Sequence, residues 1–222
     1  MDYETLQVLY RSRQTLLKLL ADRGYNTKPF EKFGPVEINA MAAAATGSAG
    51  AGSFRMDLTR ETPGPISKCR VVYSINRVKN RITGFLDEHV GDKDVEEAGD
   101  MVDPADTELV VILLEPVAES FHTAALNALA SKKLRVSFFQ AHTIVNNPME
   151  HVSQPKFELL PKSEHAEFLR VNHIKSIANM PLIKFHEDMV ARIMGLLPGD
   201  IVKITRSSPS AGEYITYRVC SP

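Results

Sequence analysis

Histidines at 89, 122, 142, 151, 165, 173 and 186 and cysteines at 69 and 220 are the chain's stock of metal-binding side chains. Zinc chemistry needs such donors at spacings like H-E-x-x-H, where one helix face presents two of them to one ion. No histidine stands at such a spacing with another His, Cys or acid, and a lone His122 in a helical pattern reads as structural. "MAAAATGSAGAGS" (41–53) offers Gly50 and Gly52 as a G-x-G. Arg55, however, occupies the place of the final glycine of a phosphate cradle, and no strand is expected before it. Ser48 lacks the strand-to-helix turn that exposes a nucleophilic serine. "GDKDVEEAGDMVD" (91–103) begins like a calcium loop at Asp92 and Asp94. Glu97 then replaces the turn glycine, and no Glu stands at the twelfth position. Acidic pairs fall only in loops, where nothing desolvates one carboxylate to separate its pKa from its neighbour's. The expectation is a chain without a catalytic residue, metal or cofactor of its own.

The 222 residues, 44% hydrophobic and 24% charged with net charge −1, exclude a disordered chain and provide for one large or two small cores. "LVVILL" (109–114) is the densest apolar run, too short to cross a bilayer and suited to a buried strand. "MDYETLQVLYRSR" has no basic segment leading into an apolar one, so no secretory signal is expected. Two cysteines give no disulfide framework, which fits a reducing compartment. A charge near zero argues against wrapping nucleic acid as a free-standing binder and leaves room for a local contact.

Residues 2–23 read as an amphipathic helix capped by Asp2 and stopped by Gly24. Leu6, Leu9, Leu16, Leu17 and Leu20 form its apolar face, while Arg11, Arg13, Lys18 and Arg23 are expected on a solvated one. The Ala/Gly stretch 41–53 reads as a flexible loop, although a short Ala helix fits its start. Residues 69–75 and 82–88 read as strands of a hairpin whose tip carries Arg77, Lys79 and Arg81 at alternate positions. Strand 107–114, helix 121–133 and strand 134–140 make a βαβ unit, whose crossover requires parallel strands. "NNPMEHVSQP" (146–155) marks a boundary, giving domains 1–150 and 151–222 in an α+β chain. Beyond it, Ser163 and Asp188 are candidate helix caps, Gly195 and Gly199 turn positions, and 201–206 with 214–219 a hairpin. Residues 153–222 hold nine Lys/Arg against seven Asp/Glu, so this half is only mildly basic.

"NMPLI" and "DMVARIMGLLPGDIVKITRSSPSAGEYITYRVC" within 179–220 closely resemble the C-terminal assembly domain of the fifth subunit of eukaryotic nuclear RNA polymerases. The same domain makes up the whole of the archaeal RNA polymerase counterpart. Pro181 and Ile183 match the family's first element, and Asp188, Val190, Ala191, Gly195 and Leu196 the second. Gly199, Val202, Lys203, Ile204 and Arg206 match the third, and Ser208, Gly212, Tyr214, Tyr217 and Arg218 the fourth. "ELLPK" (158–162), with Pro161, is similar to the family's first strand of this domain. The opening helix, ending "ADRGY", and Pro116 and Ala118 of "EPVAESF" extend the likeness upstream. Met189, Pro198, Pro209 and Glu213 depart from the pattern, as does one residue inserted between Ile183 and Asp188. These departures point to a divergent paralogue or a viral homologue.

The resemblance implies a non-catalytic subunit of a multi-subunit DNA-dependent RNA polymerase, in the nucleus or nucleolus, or in the cytoplasm or virion if viral. Its tail would dock on the largest subunit through Lys203, Arg206, Tyr214, Tyr217 and Arg218. Pro161, Pro181, Asp188, Gly195, Gly199 and Gly212 would shape that domain. An N-terminal jaw-type domain would lie near downstream duplex DNA, with Arg77, Lys79 and Arg81 closest to it. Neither a membrane nor a small-molecule substrate is expected. The alternatives left open are a free-standing transcription regulator using the same docking domain and an uncharacterised αβ enzyme.

On the residues alone, Val202 and Ile204 alternate with Lys203, which predicts one buried face and one face for a partner.

Overall fold

Helix α1 (Tyr3–Asp22) starts where the Asp2 carboxylate accepts from the Thr5 amide at 3.2 Å, satisfying one orphan donor of the first turn. It ends as Gly24, at φ 86°, takes the left-handed conformation and Tyr25 N–H donates back to Leu20 O at 3.1 Å. The computed structural model describes residues 2–45, 54–61, 64, 66–89 and 103–222. The chain divides into two units, Met1–Asn147 and Pro148–Pro222.

In the first unit, helix α2 (Pro35–Ala45) follows α1 and packs against it. The Ala-rich run therefore starts as helix, and the flexible-loop expectation for 41–53 is corrected up to residue 45. Residues 46–53, with Ser48, Gly50 and Gly52, lie outside the described residues. Strand β1 (Arg55–Thr59) pairs antiparallel with β2 (Lys68–Ser74), and β2, β3 (Thr107–Leu113) and β4 (Arg135–Gln140) run parallel in the order β1-β2-β3-β4. Every residue of β3 is buried, as expected of a central parallel strand covered on both faces.

Register assigns the two faces. Tyr73, Ile112 and Phe139 are aligned neighbours and share one face; Val72, Val111 and Phe138 share the other. Helix α4 (Glu119–Lys132) covers the second, its Phe121 ring 5.1 Å from that of Phe138. Helix α1 covers the first, where Arg13 lies beside Tyr73.

Residues 82–88 are not a strand. They form helix α3 (Ile82–His89), and Arg77, Lys79 and Arg81 do not cap a hairpin. The buried positions are Ile82, Phe85 and Leu86, an i, i+3, i+4 spacing that a strand cannot place on one face. The parallel partners β2 and β3 also need a crossover between them, which a hairpin turn cannot provide. The acidic stretch with Asp92, Asp94 and Glu97 lies outside the described residues.

Arg13 is the other correction. It is 1% exposed under the Phe33 ring, 5.4 Å from its centroid, rather than on a solvated face. Arg23 likewise turns inward, donating to Glu108 at the start of β3 at 2.7 Å. Burial pushes the Cys69 thiol and the Tyr25 phenol well up, and the Glu108 carboxylate pushes in the same direction, so both stay neutral.

The second unit is a sheet in the order β5-β7-β8-β6. Strand β5 (Lys156–Leu159) pairs antiparallel with β7 (Ile201–Ser208), β7 with β8 (Gly212–Ser221), and β8 runs parallel to β6 (Leu182–Lys184). Helix α5 (His165–Val171) follows a 3-10 turn at Lys162–Glu164. Ser163 lies inside that turn and does not cap the helix, which begins after Glu164 without a side-chain cap. Helix α6 (Met189–Met194) is capped by Asp188, whose carboxylate accepts from Val190 N–H at 2.8 Å. Gly195, at φ 65°, ends it.

Candidate functional site

The far end of the β7–β8 hairpin is exposed, from Arg206 round the turn to Ile215, and its register decides which side chains can meet a partner. Val202, Ile204 and Arg206 fall on one face of β7, aligned with Arg218, Thr216 and Tyr214 of β8. Ile201, Lys203 and Thr205 fall on the other, aligned with Val219, Tyr217 and Ile215. The five candidate docking residues therefore split: Arg206, Tyr214 and Arg218 share the Val202 face, whereas Lys203 and Tyr217 lie opposite. The expectation that Val202's face is purely interior and Lys203's face purely for a partner is corrected.

Both faces are buried at one end. Val202 and Ile204 pack with Ile183, Ala191, Leu196 and Cys220 beneath α6. Ile201 and Val219 pack with Met180, flanked by Phe168, Leu169 and Ile177. On this second face the polar and aromatic groups are satisfied within the unit. Glu158 pairs with Lys156 at 2.6 Å and Lys203 at 3.5 Å, and the Tyr217 ring lies 4.4 Å from Phe168. On the first face, Arg206 and Arg218 are exposed and, among the described residues, neither forms an ion pair with a carboxylate. Arg218 donates to Leu182 O at 3.0 Å, and Tyr214 beside Arg206 is 57% exposed.

The remaining motif positions shape the backbone. Pro161 O accepts from Glu164 N–H at 2.9 Å, and Pro181 O accepts from Val219 N–H at 2.9 Å, tying β6 to β8. Gly199 (φ 91°) and Gly212 (φ 73°) turn the chain into β7 and β8 in conformations that disfavour a side chain. Burial pushes the Cys220 thiol up to about 12, with the Asp200 and Asp188 carboxylates adding to it, so it stays protonated and unreactive.

The second surface lies in the first unit, at the C-terminal ends of the parallel strands. Arg77, Lys79 and Arg81 are all exposed around a 3-10 turn at Lys79–Arg81, anchored by buried Val78. Glu115, just past β3, holds that turn by accepting from Val78 N–H at 2.6 Å and Lys79 N–H at 3.0 Å. The turn and the segment after β3 enclose an open cleft of ≈ 540 Å³ lined by Arg77, Lys79, Asn80, Glu115, Pro116 and Ala118. A second hollow of ≈ 590 Å³ continues past Arg81 to Ser120 and Thr123 of α4. The fold thus brings the basic triad beside Pro116 and Ala118, nearly forty positions later. Sequence reading missed Glu115, and its only signal was an acid directly after a buried strand. Among the described residues no group of three or more His, Cys, Asp or Glu could hold a metal ion.

The family described as "RNA polymerase Rpb5, C-terminal domain" matches residues 146–220. The "DNA-directed RNA polymerases I, II, and III subunit rpabc1" of Dictyostelium discoideum is 28% identical over 222 residues, 98% of this chain and 99% of that protein. The corresponding RPABC1 subunit of Caenorhabditis elegans is 27% identical over 95% of this chain and 94% of its own length. The "DNA-directed RNA polymerase subunit Rpo5" of the archaeon Staphylothermus marinus is 46% identical over 72 residues, 32% of this chain and 77% of that protein. Relatives that match along nearly the whole chain, and one that is 46% identical over 77% of its own length, show that the chain belongs to the RNA polymerase Rpb5 family.

Proposed function

We propose that the chain is a non-catalytic subunit of a multi-subunit DNA-directed RNA polymerase in the nucleus, docking on the largest subunit through its C-terminal unit. The observation that carries this reading is the match along 98% of the chain to a relative named as a subunit of DNA-directed RNA polymerases I, II and III. The split of the hairpin's residues refines it. Arg206, Tyr214 and Arg218 reach the partner, while Lys203 and Tyr217 hold the domain together through Glu158 and Phe168. Arg206→Ala/Arg218→Ala is expected to melt like the wild type, since exposed substitutions change stability by within about 0.5 kcal/mol. It is expected to be lost from the polymerase during purification, increasingly so at higher salt, because exposed ionic contacts are screened. Full retention at every salt concentration places the docking surface elsewhere. Folded protein that never co-purifies with two large subunits, in wild-type form, makes it a free-standing regulator.

The basic cleft of the N-terminal unit supports a place beside downstream DNA. Arg77, Lys79 and Arg81 are exposed on long side chains that can follow a phosphate backbone, and nothing in their arrangement reads base edges. With net charge −1 the isolated protein should bind duplex weakly. In the assembled polymerase, replacing all three by Ala should flatten the dependence of DNA affinity on log salt by about 0.9 for each phosphate no longer neutralised. An unchanged slope removes these residues from the DNA path.

A further inference from the structure

Strand β8 outruns its neighbour. β6 runs beside it only at Val219, Cys220 and Ser221, so from 212 to 218 one edge of β8 has no strand beside it among the described residues. The bonds at the paired end fix where its backbone groups point. Val219 N–H donates to Pro181 O at 2.9 Å and Phe185 N–H to Ser221 O at 2.7 Å, both on the β6 side. Cys220 N–H donates to Asp200 O and Cys220 O accepts from Gly199 N–H, both at 2.8 Å, on the β7 side. These directions alternate along a strand, so Ile215 and Tyr217 turn their N–H and C=O groups to the open edge.

Proteins shield such edges with lysine, proline, a bulge or a very short strand. "EYITY" (213–217) has neither lysine nor proline, and Tyr214 and Ile215 are 57% and 45% exposed. An unshielded edge of aromatic and β-branched residues is a template for another strand. We propose that this edge takes up an extended segment of a partner polypeptide as a fifth strand, with acidic side chains facing Arg206 and Arg218. The acidic character follows from those two exposed cations, which have no carboxylate partner among the described residues. A second copy of this chain is a poor occupant. Antiparallel pairing of two β8 edges keeps the same face upward and would set both pairs of arginines on one surface. The proposal rests on the docking reading above and specifies its mode.

Hydrogen exchange on the full-length chain, free and within the assembled polymerase, tests it. In the free protein the Tyr214 and Thr216 amides, which face β7, should exchange slowly and those of Ile215 and Tyr217 fast. Assembly should slow the latter two by at least about tenfold, as each amide gains a strand partner. Ile215→Pro removes an outward N–H without breaking a bond to β7, so its melt should stay near wild type and its retention in the polymerase should fall. Ile215→Thr keeps the N–H and should be retained. Amides of Ile215 and Tyr217 that stay fast in the polymerase overturn strand addition, as does full retention of Ile215→Pro. If Ile215→Pro is retained while Arg206→Ala/Arg218→Ala is lost, docking stands and only the mode fails; if both are retained, both fail. Protection of the same amides in a concentration-dependent dimer of the isolated chain overturns the proposal in favour of a second copy.

Discussion

Val202→Asp is expected to unfold the C-terminal unit while leaving the N-terminal unit folded. Val202 is 0% exposed, enclosed by Ile183, Ala191, Leu196, Ile204 and Cys220, and flanked in register by Leu159 of β5 and Arg218 of β8. The apolar neighbours offer a carboxylate there no donor, and the aligned Arg218 is exposed with its guanidinium donating to Leu182 O at 3.0 Å, so the buried charge stays poorly compensated at a cost of several kcal/mol. Against a typical domain stability of ~5–15 kcal/mol, in a unit of this size, that exhausts most of the margin. Limited proteolysis of the full-length variant should trim the chain back towards residue 148, the start of the second unit, and spare residues before it. Arg206→Ala/Arg218→Ala should resist the same protease as the wild type does. A protease-resistant Val202→Asp would mean that the β7 face is not core and that the register-based division of the hairpin is wrong.

That division was legible in the sequence and was nonetheless misread. Val202, Ile204 and Arg206 stand two apart, so a strand must put them on one face; naming Arg206, Tyr214 and Arg218 in one docking set with Lys203 and Tyr217 goes by side-chain type, and parity divides that set. The backbone devices were easier to read, because each is local. Asp2 and Asp188 cap from within three residues, and Gly24 and Gly195 stop helices by a conformation that other residues rarely adopt. Strand β3 announced itself by an unbroken apolar run, and the helix between β3 and β4 by the parallel pairing it must serve. Ile82, Thr83 and Phe85 are β-branched or aromatic and favour a strand locally, while the i, i+3, i+4 burial that makes α3 a helix comes from packing. The basic triad was found by type, but its setting was not. Only the fold joins it to Pro116 and Ala118 across Glu115.

Arg23→Met should destabilise the N-terminal unit by about 3–5 kcal/mol, and Glu108→Leu by a similar amount, because each leaves the other charge in the interior. The pair spans 85 positions of sequence, joins the end of α1 to the start of β3 at 2.7 Å, and leaves its side chains only 18% and 6% exposed. For a chain of this length such a loss lowers the melting temperature by on the order of 10 °C. The double variant Arg23→Met/Glu108→Leu should recover most of that loss. Among the described residues Glu108 Oε1 meets no donor in good hydrogen-bond geometry, with only the neutral Tyr25 and Cys69 beside the carboxylate, so its attraction to Arg23 works against the desolvation of both ions. Replacing both with apolar side chains removes that desolvation together with the attraction, a change that is often neutral or stabilising. The coupling measured by urea unfolding of the four proteins decides the matter. Single variants with small losses, or a double variant whose loss equals the sum of the singles, would show that α1 is held to the sheet by Leu9, Leu16 and Leu20 alone and that the ion pair adds nothing to the fold.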